Sequence, residues 1–213
     1  MEGTKNIKIL YVHGMGGGKD SRIPAILNEN IDIPVIVRTY SFDPEIANNQ
    51  ISSWVEELHP ALVIGESLGA VHALAIKGVP HILVSPAINA AKFFSRLAFL
   101  TLIPGVPALC SIIWKQREGD RQQMIFDYQH THKWKKYLKL AETNSTKNGG
   151  KDLFYAFFGR YDNYRKWGIV SIRRWKKMYG NDTYTIYNGT HFMEEEYIHS
   201  LLIPKILDIL VYL

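Results

Sequence analysis

Six short apolar runs, most of them separated by a helix-length segment, constrain this chain more than any other feature. They are Ile7–Val12, Pro34–Tyr40, Ala61–Ile64, His81–Val84, Leu153–Phe158 and Tyr184–Tyr187. Several hold apolar residues at consecutive positions, the pattern of strands covered on both faces. The segments between them carry helix punctuation. Asp43-Pro44 reads as an N-cap followed by a first-turn proline, with Ile46, Trp54, Val55 and Leu58 near one face. Tyr164, Trp167, Ser171, Trp175 and Met178 recur three or four apart, and Gly180 offers a stop. Glu194, Glu195 and Glu196 open a last helix, with acids where the helix dipole favours them, and Pro204 is expected to kink or split it. Strand alternating with helix predicts an α/β fold, with a mostly parallel, doubly wound sheet of about six strands.

At 213 residues the chain, 1–213, is long enough for one domain with its own core and needs no metal or disulfide to hold it. A single cysteine, Cys110, excludes an internal disulfide framework and argues against a cysteine-built zinc site. Lysine plus arginine number 25 against 20 acidic residues, a mildly basic balance of +5 that suits acidic partners or anionic membranes and establishes neither. No basic stretch near Met1 leads into a long apolar run, so no secretory signal is expected and the cytoplasm is the default compartment.

One stretch breaks the alternation. Between about Ile88 and Gly150 no strand is legible, so 89–150 is expected to form a helical, lid-like insertion over the sheet's carboxyl edge, where such folds bind ligands. Within it Leu97–Trp114 carries no charge, a length at which a membrane span has to be considered. Pro104-Gly105-Val106-Pro107 interrupts it, and two apolar lid helices joined at that turn are the expectation.

Gly65-Glu66-Ser67-Leu68-Gly69 matches G-x-S-x-G. Composition alone produces this pattern in roughly one chain in fifteen of such length. Its placement adds weight, because it directly follows one apolar run and directly precedes the helix-like stretch Ala70, Val71, Ala73, Leu74, Ile76. A tight strand-to-helix turn needs small residues on both flanks and lifts the serine hydroxyl above the sheet. It also aims the Leu68 N–H and the helix dipole at any oxyanion formed there.

In this setting the motif resembles the α/β-hydrolase superfamily, over nearly the whole chain outside the insertion. The resemblance implies a nucleophile, an acid and a histidine in that chain order, each just after a strand. Ser67 matches the nucleophile, Asp162 in Phe158-Gly159-Arg160-Tyr161-Asp162 the acid, and His191 in Asn188-Gly189-Thr190-His191-Phe192 the base. Asp162 is also a suitable cap for a helix starting near Asn163, and Asp152 and Asp127 are poorer substitutes because neither follows a strand. His13-Gly14-Met15-Gly16-Gly17-Gly18 resembles the family's His-Gly loop. That implies a second oxyanion amide from Met15, with Gly16 close behind, and places His13 and Gly14 on the substrate loop. The family's first two strands are expected to be missing, since the chain reaches the strand feeding this loop almost at once.

Such a trio suits acyl transfer. A serine hydroxyl is a poor nucleophile at neutral pH, an imidazole can take its proton and return it to a leaving group, and a carboxylate fixes the tautomer. The expected function is a carboxylic ester hydrolase working through an acyl-enzyme, without cofactor or metal, on a small or acyl-bearing molecule. Acyl transfer to another acceptor and a non-catalytic hydrophobic-ligand-binding module on the same scaffold are the alternatives.

Three further patterns are weaker. The glycine loop fails the phosphate-loop pattern, which would need glycine where His13 stands and a hydroxyl where Asp20 stands. Asp127, His130 and His132 match no metal-site template. Lys133-Trp134-Lys135-Lys136-Tyr137 and Arg173-Arg174-Trp175-Lys176-Lys177 interleave basic and aromatic residues. Such a pattern is more often the wet side of an amphipathic helix with its tryptophan inward; a weak membrane-surface contact is the other reading, and nucleic acid is not expected.

Overall fold

Each of the six apolar runs forms a strand: β1 Ile9–Val12, β2 Val35–Val37, β3 Leu62–Glu66, β4 His81–Val84, β5 Phe154–Gly159 and β6 Tyr184–Tyr187. The structure, a computed structural model, describes residues 7–115, 118–142, 144 and 152–211. The amino-terminal reading at Met1–Asn6 and parts of the expected insertion (116–117, 143 and 145–150) lie outside the described residues. The strands form one sheet in the order β2-β1-β3-β4-β5-β6, and every neighbouring pair is parallel.

Among the described residues ten α-helical segments accompany them: α1 Arg22–Asn30, α2 Pro44–Leu58, α3 Gly69–Ala73, α4 Ala90–Leu100, α5 Val106–Ile113, α6 Tyr128–Lys133, α7 Asn163–Lys166, α8 Ile172–Tyr179, α9 Glu195–Tyr197 and α10 Ile203–Val211. The sheet is buried on both faces, which is why its strands are apolar at consecutive positions. Ile9, Tyr11, Leu62, Ile64, Ile82 and Val84 meet Ile23 and Leu27 of α1 and Ile206 and Ile209 of α10 on one side. Leu10, Val12, Val63, Leu83, Ala156 and Phe158 meet α2, α3, α4 and α8 on the other. The fold is therefore a doubly wound α/β sandwich.

Winding direction locates the site. From β1 the chain crosses outward to β2, then returns to β3 on the opposite side of β1. The carboxyl ends of β1 and β3 thus flank the point where strand order reverses, the crevice in which open parallel sheets bind ligands.

Local details follow from single residues. Asp43 caps α2, its Oδ1 accepting from the amides of Glu45 at 3.0 Å and Ile46 at 3.4 Å. The buried face of α2 is Ala47 and Ile51, with Trp54, Val55 and Leu58 packed beside it; Ile46, expected on that face, is exposed, because it lies one position off the buried row. The single helix expected across Tyr164–Met178 is split into α7 and α8. Gly168 at φ +69° ends the first, and the Ser171 hydroxyl starts the second by accepting the Arg174 amide at 3.2 Å. Trp167 is left exposed at the break. Gly180, at φ +101°, stops α8 as expected. Pro204 has no N–H for the carbonyl of Ser200 and its ring crowds that group, so the preceding turn, Ile198–Leu202, widens to a π-helix.

Among the described residues between β4 and β5 lie α4, α5, α6 and two short 3₁₀ turns, Trp134–Tyr137 and Leu140–Glu142. Among the described residues this stretch holds no strand, only a lone bridge from Arg121 back to Gly18 in the loop after β1. α4 and α5 meet at a turn closed by Gly105 at φ +88°. Among the described residues no helix is long and apolar enough to cross a membrane.

Candidate active site

Ser67 follows β3 directly and sits at φ +48°, in the left-handed region that side chains avoid. The cost is met by fixed neighbours: its amide donates to the Val84 carbonyl at 2.9 Å, and its carbonyl accepts the Ala87 amide at 2.9 Å. The flanking glycines are sterically required. A Cβ on Gly65 would stand 2.9 Å from Ala70 Cα, and one on Gly69 would stand 2.2 Å from the Val12 carbonyl oxygen. The helix behind the turn, α3, is only Gly69–Ala73, shorter than the sequence pattern promised, so its dipole is small and the individual amide of Leu68 matters more.

Asp162 lies three residues beyond the end of β5, and His191 four beyond β6. Their loops touch because Gly159 has no side chain: a Cβ there would stand 2.0 Å from the Thr190 carbonyl oxygen. His191 Nδ1 is 2.8 Å from Asp162 Oδ2, and His191 Nε2 is 2.8 Å from Ser67 Oγ. With hydrogen on Nδ1, the imidazole donates to the carboxylate and its Nε2 accepts the serine hydroxyl. His191 is 5% exposed and Asp162 3%, and the ring packs on Tyr164 with centroids 4.4 Å apart. Both readings of Asp162 hold together, since Oδ1 accepts the Tyr164 amide at 2.8 Å and caps α7 while Oδ2 faces His191. The structure therefore brings Ser67, His191 and Asp162 into one hydrogen-bonded row at the sheet's carboxyl edge.

The arrangement of strands and helices around this row is similar to that of solved structures. The chain superposes on alpha/beta hydrolase domain-containing protein 10 from mouse with a TM-score of 0.63, at 14% identity, covering 100% of this chain and 92% of that one. It matches an enol-lactonase from Burkholderia xenovorans LB400 with a TM-score of 0.58, at 12% identity, covering 99% and 94%. A thermophilic esterase from Thermogutta terrifontis matches with a TM-score of 0.57, at 15% identity, covering 95% and 89%. The chain has the α/β-hydrolase fold. No protein-family model matches it, and no curated protein matches its sequence.

In this α/β-hydrolase fold the loop after β1 lies against the serine turn. A Cβ on Gly14 would stand 3.1 Å from Ser67 Cβ. Of the two loop amides the sequence offered, that of Gly16 donates to Gln122 Oε1 at 3.1 Å, so it is already engaged. The amides of Met15 and Leu68 have no acceptor among the described residues. His13, expected on the substrate loop, is fully buried and does not line the cavity. Its ring stacks on Tyr40 with centroids 4.2 Å apart, its Nδ1 lies 2.8 Å from the Gly14 carbonyl oxygen, and its own carbonyl accepts the Tyr40 hydroxyl at 2.6 Å. Burial lowers its pKa to about 4, which keeps the ring neutral at physiological pH. His13 thus shapes the loop from below.

A cavity of about 510 Å³ opens above Ser67. Phe93 and Phe94 of α4, Ile113 of α5, Trp114, Met124 and Ile169 give it an apolar wall, while Asp20, Arg22, Glu66 and Arg121 supply a polar one. The polar groups are tethered. Glu66 accepts the Tyr11 hydroxyl at 2.7 Å, Arg121 pairs with Asp20 at 3.0 Å, and Arg22 donates to the Met193 carbonyl. Burial, with Glu66 alongside, pushes the Tyr11 phenol well above its usual value, so it stays a donor.

Gln122 is the residue sequence reasoning missed. It comes from the stretch between β4 and β5, and its Nε2 donates to the carbonyls of Tyr40 at 3.3 Å and Ser41 at 3.2 Å while its Oε1 holds Gly16. The remaining sequence candidates lie elsewhere. Asp127 caps α6 and holds His130 Nδ1 at 2.8 Å, and among the described residues no three metal-ligating side chains gather. Trp134 and Trp175 are buried, Lys133 pairs with Asp43, and Arg174 pairs with Glu142. The tryptophans of both basic-aromatic stretches therefore face inward.

Proposed function

We propose that this chain is a serine hydrolase that cleaves carboxylic esters of hydrophobic acyl groups. One observation carries the reading: a single buried imidazole spans Ser67 Oγ and Asp162 Oδ2, at 2.8 Å from each. Ser67 Oγ attacks the ester carbonyl while His191 Nε2 takes its proton. The amides of Leu68 and Met15 stabilise the negative charge that builds on the carbonyl oxygen. His191 then delivers the proton to the departing alkoxide, leaving an acyl-Ser67 ester. Water enters, gives a proton to the same nitrogen and attacks the acyl carbon, and carboxylic acid departs as the proton returns to Ser67. Asp162 stabilises the imidazolium at each stage and remains a carboxylate.

The apolar wall of Phe93, Phe94, Ile113 and Trp114 supports an acyl chain as the group held beside Ser67. Each methylene buried there is worth about 0.8 kcal/mol, or about fourfold in kcat/KM. Hydrolysis of p-nitrophenyl esters of increasing chain length tests the reading. Turnover should rise with each added methylene until the cavity is filled, and Ser67→Ala should abolish it. Equal background rates from wild type and Ser67→Ala would overturn it.

A further inference from the structure

We propose that the tip of the α4–α5 hairpin docks on a bilayer surface containing anionic lipids, beside the mouth of the Ser67 cavity. Phe99, Leu102, Ile103, Leu109, Ile112 and Ile113 are each more than half exposed, Ile112 reaching 73%. Scattered apolar residues on a surface are ordinary, but these six, with Leu100 beside them, all fall on one hairpin and call for an occupant. The two helices are only 11 and 8 residues long, so the hairpin sits in an interface and does not span it.

Charge selects the occupant. From Ala90 to Lys115 the chain has no acidic residue, and its cations are Lys92, Arg96 and Lys115, all exposed. Lys92 and Arg96 are one turn apart on α4, and Phe99 continues the same face toward the tip. Lys115 follows the end of α5. The hairpin thus carries an apolar tip with cations at its base, which places the side chains in acyl chains and the ammonium and guanidinium groups at the phosphates. The turn is open among the described residues: 102–105 are exposed, and a Cβ on Gly105 would meet nothing within 4 Å. A second hairpin, with no acidic residue of its own, would offer these cations no counter-charge, which disfavours a second copy as the occupant. The cationic base adjoins the second basic-aromatic stretch, since Lys92 and Arg96 border one recess with Leu138 and Arg174, while the apolar tip lies at the far end of α4.

Ile113, Trp114 and Lys115 belong both to the hairpin's end and to the cavity lining. An acyl ester leaving the bilayer would therefore meet the cavity first. That delivery rests on the esterase reading; the docking itself does not.

The test uses the full-length Ser67→Ala chain, so no turnover intrudes, in co-sedimentation with phosphatidylcholine vesicles, alone or with about 30 mol% phosphatidylserine. Binding should be at least about tenfold stronger to the anionic vesicles and should weaken with added salt. A Leu102→Asp, Ile112→Asp double variant should lose it, and both side chains are exposed enough for the fold to be unaffected. Lys92→Glu with Arg96→Glu should lower it about tenfold or more. No difference between vesicle types, or full binding by the aspartate variant, would overturn the proposal. So would a dimer in sedimentation velocity that the aspartate variant splits while vesicles bind nothing, since that assigns the patch to a second copy. Vesicle binding together with a wild type inactive on every ester would leave the docking standing and fail the esterase reading alone.

Discussion

Gln122 accepts the Gly16 amide at 3.1 Å, tying the stretch between β4 and β5 to the loop that carries Met15. Its own side-chain amide donates to the carbonyls of Tyr40 and Ser41, so one residue ties that loop to the one after β2. Gln122→Leu keeps the volume and loses all three bonds. Because displacement of a catalytic donor by about 1 Å costs about a hundredfold, kcat should fall by roughly 10- to 100-fold with KM changed much less. Steady-state kinetics on a short ester checks this, with circular dichroism to establish that the fold is kept.

Asp162 serves the imidazole with one oxygen and the α7 cap with the other, and substitution separates the two. Asp162→Asn keeps an acceptor for the Tyr164 amide but presents a donor to His191, which forces the wrong tautomer. Its kcat should drop by about 10⁴ with little change in thermal stability. Asp162→Ala should match that loss of rate and cost about 1 kcal/mol more in stability through the missing cap.

Gly159→Ala tests the close approach of the acid and histidine loops. The new Cβ would lie 2.0 Å from the Thr190 carbonyl oxygen, which is backbone and cannot swing aside. A loss of about 3 kcal/mol is expected, a fall in Tm of roughly 6–12 °C for a chain of this size. Gly168→Ala, where a Cβ meets nothing within 4 Å and only the φ of +69° resists, should cost about 1 kcal/mol.

Three histidines away from the serine row set the acid response. Burial lowers the pKa of His13 to about 4, His72 to about 3 and His81 to about 4. Unfolded histidines titrate near 6.5, so below that pH the unfolded chain binds more protons than the native one. Stability is therefore complete above about pH 6.5 and falls as pH drops toward 4, by up to about 1.4 kcal/mol per pH unit for each histidine. His81, stacked on Phe154 with centroids 4.7 Å apart, is the cleanest probe. In His81→Phe the slope of unfolding free energy against pH, from denaturant titrations between pH 5 and 6.5, should drop by about a third. An unchanged slope would remove His81 from the account.

Much of the fold was legible because strands buried on both faces must be apolar at consecutive positions, and β1, β3 and β4 read that way directly. The serine turn was legible because steric contact at Gly65 and Gly69 leaves no other residue type, and such constraints leave a spaced pattern in the sequence. Gln122 was not legible: it acts across about a hundred residues of chain, and a lone glutamine carries no periodicity. His13 misled for a related reason. Its place in the motif marks the loop, but whether a loop side chain faces ligand or core depends on Tyr40, which arrives just past β2, a helix and a strand later. The division of α7 from α8 was hidden because Tyr164, Trp167, Trp175 and Met178 keep helical spacing by coincidence across the break at Gly168.

The central claim is that Ser67 is a nucleophile activated by His191, and covalent labelling tests it most directly. Folded wild-type protein treated with a fluorophosphonate should carry one adduct, located by peptide mass spectrometry on Ser67. Ser67→Ala should carry none, and His191→Ala should label slower by about 10³ or more. A folded wild type that stays unlabelled, or an adduct that persists in Ser67→Ala, would contradict the account.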